Sequence, residues 1–282
     1  MITCKGKSEI LKMERAARIL HETLAECVAA AVEGVTTEDI DRIASAGIKS
    51  RGGKAAFPGY HGYPKTICIS VNEEVVHGIP TAKKRLRSGD VVSLDLGAIV
   101  DGYYADAART VTIGPVDEKV QTLIDTTHVA LTAGIEAARV GARIGDIGAA
   151  IEAVARPMGY GVVREYVGHG IGTAMHEEPQ IPNYGPSGKR EVIREGMTLA
   201  IEPMFNLGSA HVERGKDGWT VRTKDGKVSA HFEHTIAVTA QGPVVLGFGR
   251  FVADSERIIP GVPSPFEYPV AAPVRDGAAS IA

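Results

Sequence analysis

One pattern occurs twice in this chain of 282 residues, and it narrows what the chain can fold into. Around Asp95 the chain reads S-G-D-V-V-S-L-D-L. The related run R-E-G-M-T-L-A-I-E-P lies 107 residues later, so that Gly89 falls on Gly196, Leu94 on Ile201 and Asp95 on Glu202. A second acid-bearing run follows each: D-A-A-R-T-V-T from Asp106 and E-H-T-I-A-V-T from Glu233. The same offset reaches upstream, where G-V-T-T-E-D-I from Gly34 matches G-A-R-I-G-D-I from Gly141, each after a long helical segment. A unit of roughly a hundred residues is too long for a solenoid repeat. It reads as an internal duplication, two similar halves around one shared core, rather than the two domains that length alone would suggest. Acids inside apolar β-type runs are costly unless they meet cations. A single acid of this kind is usually a strand-end or turn residue. Four in a repeated context point to a place where cations sit, most simply a metal site.

The periodicity fills in the halves. Residues 8–32 read as a helix, with Ile10, Met13, Ala17, Leu20, Leu24, Cys27 and Val28 at three-to-four spacing and Gly34 as its stop. Thr36-Thr37-Glu38-Asp39 is a capped start for a second helix, to about residue 50. Residues 117–138 and 146–155 repeat that pair. Strands are expected at 65–71, 75–77, 91–100, 103–113, 162–167, 197–201 and 230–238. Asp101-Gly102 is a hairpin turn signal. A two-residue loop there pairs Val100 with Tyr103, which sets Asp95 opposite Ala108 and Asp106 opposite Gly97. The two acids are then diagonal neighbours on one face, with Cβ atoms roughly 7 Å apart, close enough to hold metal between them. A slip of one residue would put them on opposite faces.

Composition excludes several classes. Apolar residues at 44% and charged residues at 23% are ordinary for a globular protein, and a net charge of -3 gives no reason to expect nucleic-acid readout. Cys4, Cys27 and Cys68 are too few and too irregular for a disulfide framework and suit a reducing compartment such as the cytoplasm. The N-terminus lacks the apolar stretch of a signal peptide, and no run approaches membrane-spanning length. We expect a single catalytic domain over residues 1–250, with halves at about 8–113 and 117–240. A proline-rich tail at 251–282 holds Pro260, Pro263, Pro265, Pro269 and Pro273.

His169 lies in G-H-G-I-G. A phosphate loop would need a helix next, but T-A-M-H-E-E-P-Q-I-P follows, with Pro179 and Pro182 against it. One imidazole beside four carboxylates suits divalent transition metals better than calcium, and four negative charges match two such ions. Taken alone, His77 and His176 are more simply structural histidines, His21 and His128 helix residues, Trp219 a packed loop anchor, and K-K-R-L-R at 83–87 a solvated turn.

Five segments in series carry a resemblance: G-Y-H-G-Y-P-K-T-I-C-I-S-V-N-E-E-V-V-H-G-I-P, L-D-L-G-A-I-V-D-G-Y-Y-A-D, G-H-G-I-G-T-A-M-H-E-E-P-Q, I-E-P-M and H-F-E-H-T-I. Together, over roughly residues 5–250, they resemble the type I methionine aminopeptidases. The resemblance implies an α+β pita-bread (creatinase/aminopeptidase) fold, with two halves around a curved antiparallel sheet. It implies removal of the N-terminal methionine from nascent chains whose second residue is small, through a hydroxide bridging two divalent ions (Co, Mn, Fe or Zn). Asp95 would chelate one ion, Asp106 and Glu233 would bridge both, and His169 and Glu202 would hold the other. Glu202 would also shuttle the proton, with His77 at the scissile amide and His176 at the oxyanion. Phe57, Tyr60, Tyr63, Cys68, Met175 and Trp219 would line the methionine pocket beside His77 and His176. A monomer is implied, with nascent N-termini as partners and a transient ribosome contact. Phe57 and Met175 depart from the cysteine and phenylalanine usual in bacterial members. Prolidases and X-Pro aminopeptidases share the ligands but carry an extra N-terminal domain. Type II methionine aminopeptidases carry an insertion between the His169 and Glu202 positions, which only 32 residues separate here. A non-catalytic pita-bread binding protein would have lost ligands.

Overall fold

The computed structural model describes residues 1–248; the proline-rich segment lies outside the described residues. Among the described residues there are four α-helices: α1 Lys7–Ala30, α2 Thr37–Ser50, α3 Glu118–Ala137 and α4 Ile144–Ala155. The strands of the first half are β1 Lys54–Ala55, β2 Ile67–Val71, β3 Glu74–Val76, β4 Val91–Val100 and β5 Tyr103–Thr112. Those of the second are β6 Gly161–Val162, β7 Gly168–Gly170, β8 Glu177–Ile181, β9 Thr198–Ile201, β10 Met204–Asn206, β11 Val212–Arg214, β12 Val221–Thr223, β13 Ser229–His231, β14 Glu233–Thr239 and β15 Gly242–Val245. A nine-stranded antiparallel sheet runs β1-β4-β5-β14-β9-β7-β8, with β2 beside β4 and β15 beside β14. Two three-stranded sheets, β13-β10-β6 and β11-β12-β3, flank it. Among the described residues no helix is long and apolar enough to cross a membrane.

Each half places a helix pair over its part of the sheet. Met13, Ala17, Leu20 and Leu24 of α1 form one core with Ile40 and Ile48 of α2 and with Leu94, Leu96, Ala105 and Ala107 of the sheet. Leu123, Leu131 and Ile135 of α3 form a second core with Ile147 and Ile151 of α4 and with Leu199, Ile201 and Ile236. Strand alternation then turns Asp95, Gly97, Asp106 and Ala108 to the face away from the helices.

The duplication is visible in the backbone. Thr36 bridges to Arg85 and Arg143 to Val192, at the same offset as Asp95 and Glu202. Gly34 N–H donates to the Leu86 carbonyl at 2.9 Å, and Gly141 N–H to the Ile193 carbonyl at 3.0 Å. Thr36 N–H reaches the Asp39 carboxylate at 3.1 Å, and Arg143 N–H that of Asp146 at 2.7 Å, so both second helices start with an aspartate accepting the N–H of the residue three before it.

The β4–β5 ladder has the expected register, Val100 to Tyr103, Asp95 to Ala108 and Gly97 to Asp106. Asp101 and Gly102 have φ of 50° and 79°, the left-handed pair of a type I′ turn. Three expectations need correction. Of the strand expected at 162–167 only Gly161–Val162 forms, pairing with β10. The strand expected at 230–238 is broken at Phe232, because its first part pairs with β10 and its second with β9 and β5. The third concerns the alignment of Asp106 on Glu233. Leu94 faces Arg109 and its counterpart Ile201 faces His234, so register places Glu233 on Ala108 and His231 on Asp106. Local bonding agrees. The Thr235 hydroxyl brackets the Asp106 backbone, accepting its N–H and donating to its carbonyl, both at 2.8 Å. Thr110 does the same for His231, at 2.9 and 2.7 Å. The displacement is two residues, which keeps every acid on the same face.

Candidate active site

The acids meet where the two halves join. Glu233 of β14 pairs directly with Ala108 of β5, one alternation from Asp106. Asp106, His169 and Glu233 each bring one ligand atom within 4.8 Å of the others. His169 Nε2 lies 3.6 Å from Glu202 Oε1, and Asp95 is the diagonal neighbour of Asp106 across the hairpin. The structure thus gathers all five sequence-predicted ligands. Asp95, Asp106, His169 and Glu233 are buried, Glu202 partly so.

The electrostatics are those of a cation site. Burial pushes Asp95 up to about 7. It also raises Asp106, Glu202 and Glu233, helped by mutual repulsion: Asp95 and Glu202 act on Asp106, Asp95 on Glu202, and Asp106, Glu202 and Asp95 on Glu233. Asp95 Oδ1, Asp106 Oδ1 and Glu233 Oε1 are buried without a hydrogen-bond partner. Buried carboxylate oxygens left orphaned in this number need a ligand, and a hard, divalent one fits the donor set. His169 is prepared for the same role. Its Nδ1 lies 2.9 Å from the Gly170 carbonyl, and as donor there it leaves the Nε2 lone pair facing Glu202. Burial, with His176 nearby, holds its pKa down at about 3, so it is neutral at pH 7.

An apolar cluster adjoins the acids. Phe57, Tyr63, Cys68 and Met175 are buried, and Trp219 and Tyr60 pack against the same cluster. Cys68 pairs with Asp95 across β2 and β4. Tyr63 meets Phe57 edge-on at 6.2 Å and Trp219 at 5.2 Å. Gly97, one alternation from Asp95, makes room for this wall: a Cβ there would press on Phe57 at 2.8 Å and Met175 at 3.2 Å. The two histidines that spacing alone left unconnected come to this region, His176 against His169 and His77 near Trp219. The His176 ring lies 4.2 Å from His169, and its Nδ1 is 2.6 Å from the Tyr60 hydroxyl. His77 lies 6.3 Å from Trp219 and 5.5 Å from Tyr166. It stands just past the end of β3 with φ of 61°, unusual for a residue with a Cβ. Burial, then His176 and Arg214, lowers its pKa to about 4.

One residue at the site escaped the sequence reading. His231 is 1% exposed, neither ring nitrogen has a partner, and Nε2 lies 3.8 Å from Glu202 Oε2. Burial, with His77 nearby, lowers its pKa to about 3. Its place two residues before Glu233 was the available signal, since alternation puts both on one face.

Comparison with known proteins identifies the family. The model of metallopeptidase family M24 matches residues 11–240. A methionine aminopeptidase of Clostridium acetobutylicum is 46% identical over 246 residues, covering 87% of this chain and 98% of its own. One of Borreliella burgdorferi is 48% identical over 243 residues, covering 86% and 96%. The crystal structure of a methionine aminopeptidase from Thermotoga maritima superposes with a TM-score of 0.86 at 44% identity, covering 88% of this chain and 99% of that one. A prolidase from Pyrococcus furiosus shares the fold at a TM-score of 0.71 and 24% identity, covering 86% of this chain and 65% of its own. The chain belongs to metallopeptidase family M24 and, within it, to the methionine aminopeptidases.

Proposed function

We propose that this chain removes the N-terminal methionine from polypeptides whose second residue is small, with two divalent metal ions in the cradle of Asp95, Asp106, His169, Glu202 and Glu233. The single observation that carries the reading is the juxtaposition of orphaned buried carboxylate oxygens with an apolar cluster, Cys68 of that cluster pairing with Asp95. Four carboxylates balance two divalent charges. Ions held there would polarise the scissile carbonyl and lower the pKa of the attacking water. The protein's own groups do the rest. Asp106 and Glu233, on the paired central strands, would hold both ions. Glu202, partly open to the site, takes the proton of the attacking water and returns it to the leaving amine. His176, tied to Tyr60, donates toward the charge developing on the carbonyl oxygen. His77, neutral at pH 7, hydrogen-bonds the scissile amide. The slot of Tyr60, Tyr63, Cys68, Trp219, Phe57 and Met175 takes a long unbranched side chain and offers a charged one no partner.

The test is metal-dependent release of methionine from Met-Ala-Ser beside Nle-Ala-Ser, Lys-Ala-Ser and an X-Pro peptide. The reading expects methionine and norleucine to be cleaved with similar kcat/KM and lysine to be refused. Preference for the X-Pro peptide would reassign the chain to a prolidase-like activity.

A further inference from the structure

The segment before α1 is not a loose end. Lys5 N–H donates to the Gly196 carbonyl at 2.6 Å, and a Cβ on Gly196 would meet the Lys5 carbonyl oxygen at 2.7 Å. Gly89, the counterpart of Gly196 in the repeat, has open space at the same place. The contact therefore exists in one half only, and it buries a charge. The Lys5 side chain is 5% exposed, and its Nζ donates to Glu177 Oε2 at 2.5 Å and to Thr3 Oγ1 at 3.0 Å. Thr3 Oγ1 in turn donates to the same Glu177 oxygen at 3.0 Å. The other Glu177 oxygen accepts the N–H of Thr173 at 2.7 Å and of Ala174 at 3.1 Å. Gly172 lies so close to the Lys5 stem that a Cβ would not fit between them. Residues 172–177 thus form a loop closed on one carboxylate and locked by one ammonium from the chain start. That loop carries Met175 and His176.

We infer that Lys5 is a positioning residue for the substrate: through Glu177 it holds Met175 in the wall of the slot and His176 over His169. This rests on the proposed roles of those two residues. Neither Lys5 nor Glu177 reaches the acids. They act by fixing a loop, and misplacing reactive groups by an ångström costs on the order of a hundredfold in rate. A buried ion pair that loses one partner leaves the other charge uncompensated, so the lock is sensitive to a single change.

The experiment uses the full chain with metal. Lys5→Met keeps the length and apolar stem and removes the ammonium. Its kcat/KM on Met-Ala-Ser should fall about tenfold to a hundredfold. Metal affinity by titration calorimetry should stay as in the parent, and Lys5→Arg should recover most of the activity. In a His176→Ala background, adding Lys5→Met should cost clearly less than in the parent, because only Met175 is left for it to position. Losses that simply add in the two backgrounds, or parental kcat/KM in Lys5→Met, overturn the inference. Should Lys5→Met not fold, Glu177→Gln enters the same cycle, since its amide oxygen still accepts the loop N–H groups. Amide exchange at Thr173 and Ala174 reads the lock without substrate. Faster exchange in the variant is expected, and unchanged protection refutes the lock. A parent chain that releases no methionine would overturn the proposed function and leave that exchange result standing.

Discussion

The two halves of the molecule agree in their frame and differ in what they add to it. Helix pairs, glycine stops, backbone bridges and caps recur at one offset, and so does one acid, Asp95 within β4 in one half and Glu202 just past the end of β9 in the other. The first half then turns back within two residues, at Asp101-Gly102. The second inserts β10 to β13 between Glu202 and Glu233. That excursion pairs β12 with β3, which brings Trp219 beside His77. His169 has no ligating counterpart either: it pairs with Ala200, whose repeat partner Ser93 pairs with Ser70. Repetition supplied Asp95 and Glu202 as counterparts; departures from it, including the two-residue displacement of Glu233 from Asp106, supplied the other two carboxylates, the imidazole of His169 beside them and part of the apolar cluster.

The harshest way to break this comparison is at the central strands. Asp106→Ala and Glu233→Ala each remove a carboxylate that the proposed function assigns to both ions. Methionine release should fall by more than the roughly 10–100-fold typical of an outer partner. Near-parental turnover in either would end the shared-ligand reading. His231 occupies the register position of Asp106 but meets only Glu202, so its removal should cost less. His231→Ala should lose about 10–100-fold in kcat, as outer partners of metal ligands do. His231→Gln, which keeps a donor, should lose little; an equal loss in both would mean that the ring itself is needed. Trp219→Ala tests the excursion. It should lower kcat/KM for Met-Ala-Ser by about 1–3 kcal/mol while leaving metal affinity unchanged. A weakened metal site would mean that slot and cradle are one unit.

The acids can also be separated by pH in metal-free protein. Burial raises Asp95 to about 7, so its ionised form costs stability in the fold. That cost is absent below the unfolded value near pH 4, grows as pH rises, and is complete above pH 7. Asp95→Asn should therefore raise the melting temperature of the EDTA-treated protein at pH 8 and change it little at pH 4. Equal shifts at both values would show that the cost is not one of charge. In the parent, added Mn²⁺ or Co²⁺ should stabilise by about 2.7 kcal/mol at a hundred times its dissociation constant. The gain should shrink in acid, where protons compete for the carboxylates.

Most of the frame could be read from the sequence because local signals and the repeat pointed the same way. The Asp101-Gly102 turn fixed a ten-residue ladder, and period-two alternation then fixed the face of both acids. The second half was harder. Residues 230–238 look like one strand, yet tertiary pairing breaks them at Phe232, and only that pairing reveals His231 as the mate of Asp106. His77 and His176 showed no tie to the acids in their spacing, because the excursion and the 172–177 loop bring them there. Lys5 gave no signal at all: its burial depends on Gly196, almost two hundred residues away in sequence.

The smallest expected difference between the halves lies at their second helices. Both start on an aspartate that accepts the N–H of the residue three before it, Asp39 for Thr36 and Asp146 for Arg143. Only α2 has a side-chain cap as well, the Thr36 hydroxyl accepting the Asp39 N–H at 3.2 Å; α4 has arginine there and no such bond. Thr36→Ala should cost about 1 kcal/mol in thermal or denaturant unfolding, whereas Arg143→Ala loses mainly the guanidinium bond to the Arg190 carbonyl at 2.7 Å and should cost less. The aspartates should rank the other way. Asp146 also accepts from Ser187 Oγ at 2.5 Å and Gly188 N–H at 2.7 Å, tying α4 to the loop before β9, while Asp39 adds an exposed pair with Arg42 at 2.9 Å. Asp146→Ala should therefore lower the melting temperature more than Asp39→Ala. If the four variants rank alike in both halves, the caps are interchangeable copies. A reversed rank for the aspartates would mean that the Ser187 loop adds nothing to the hold on α4.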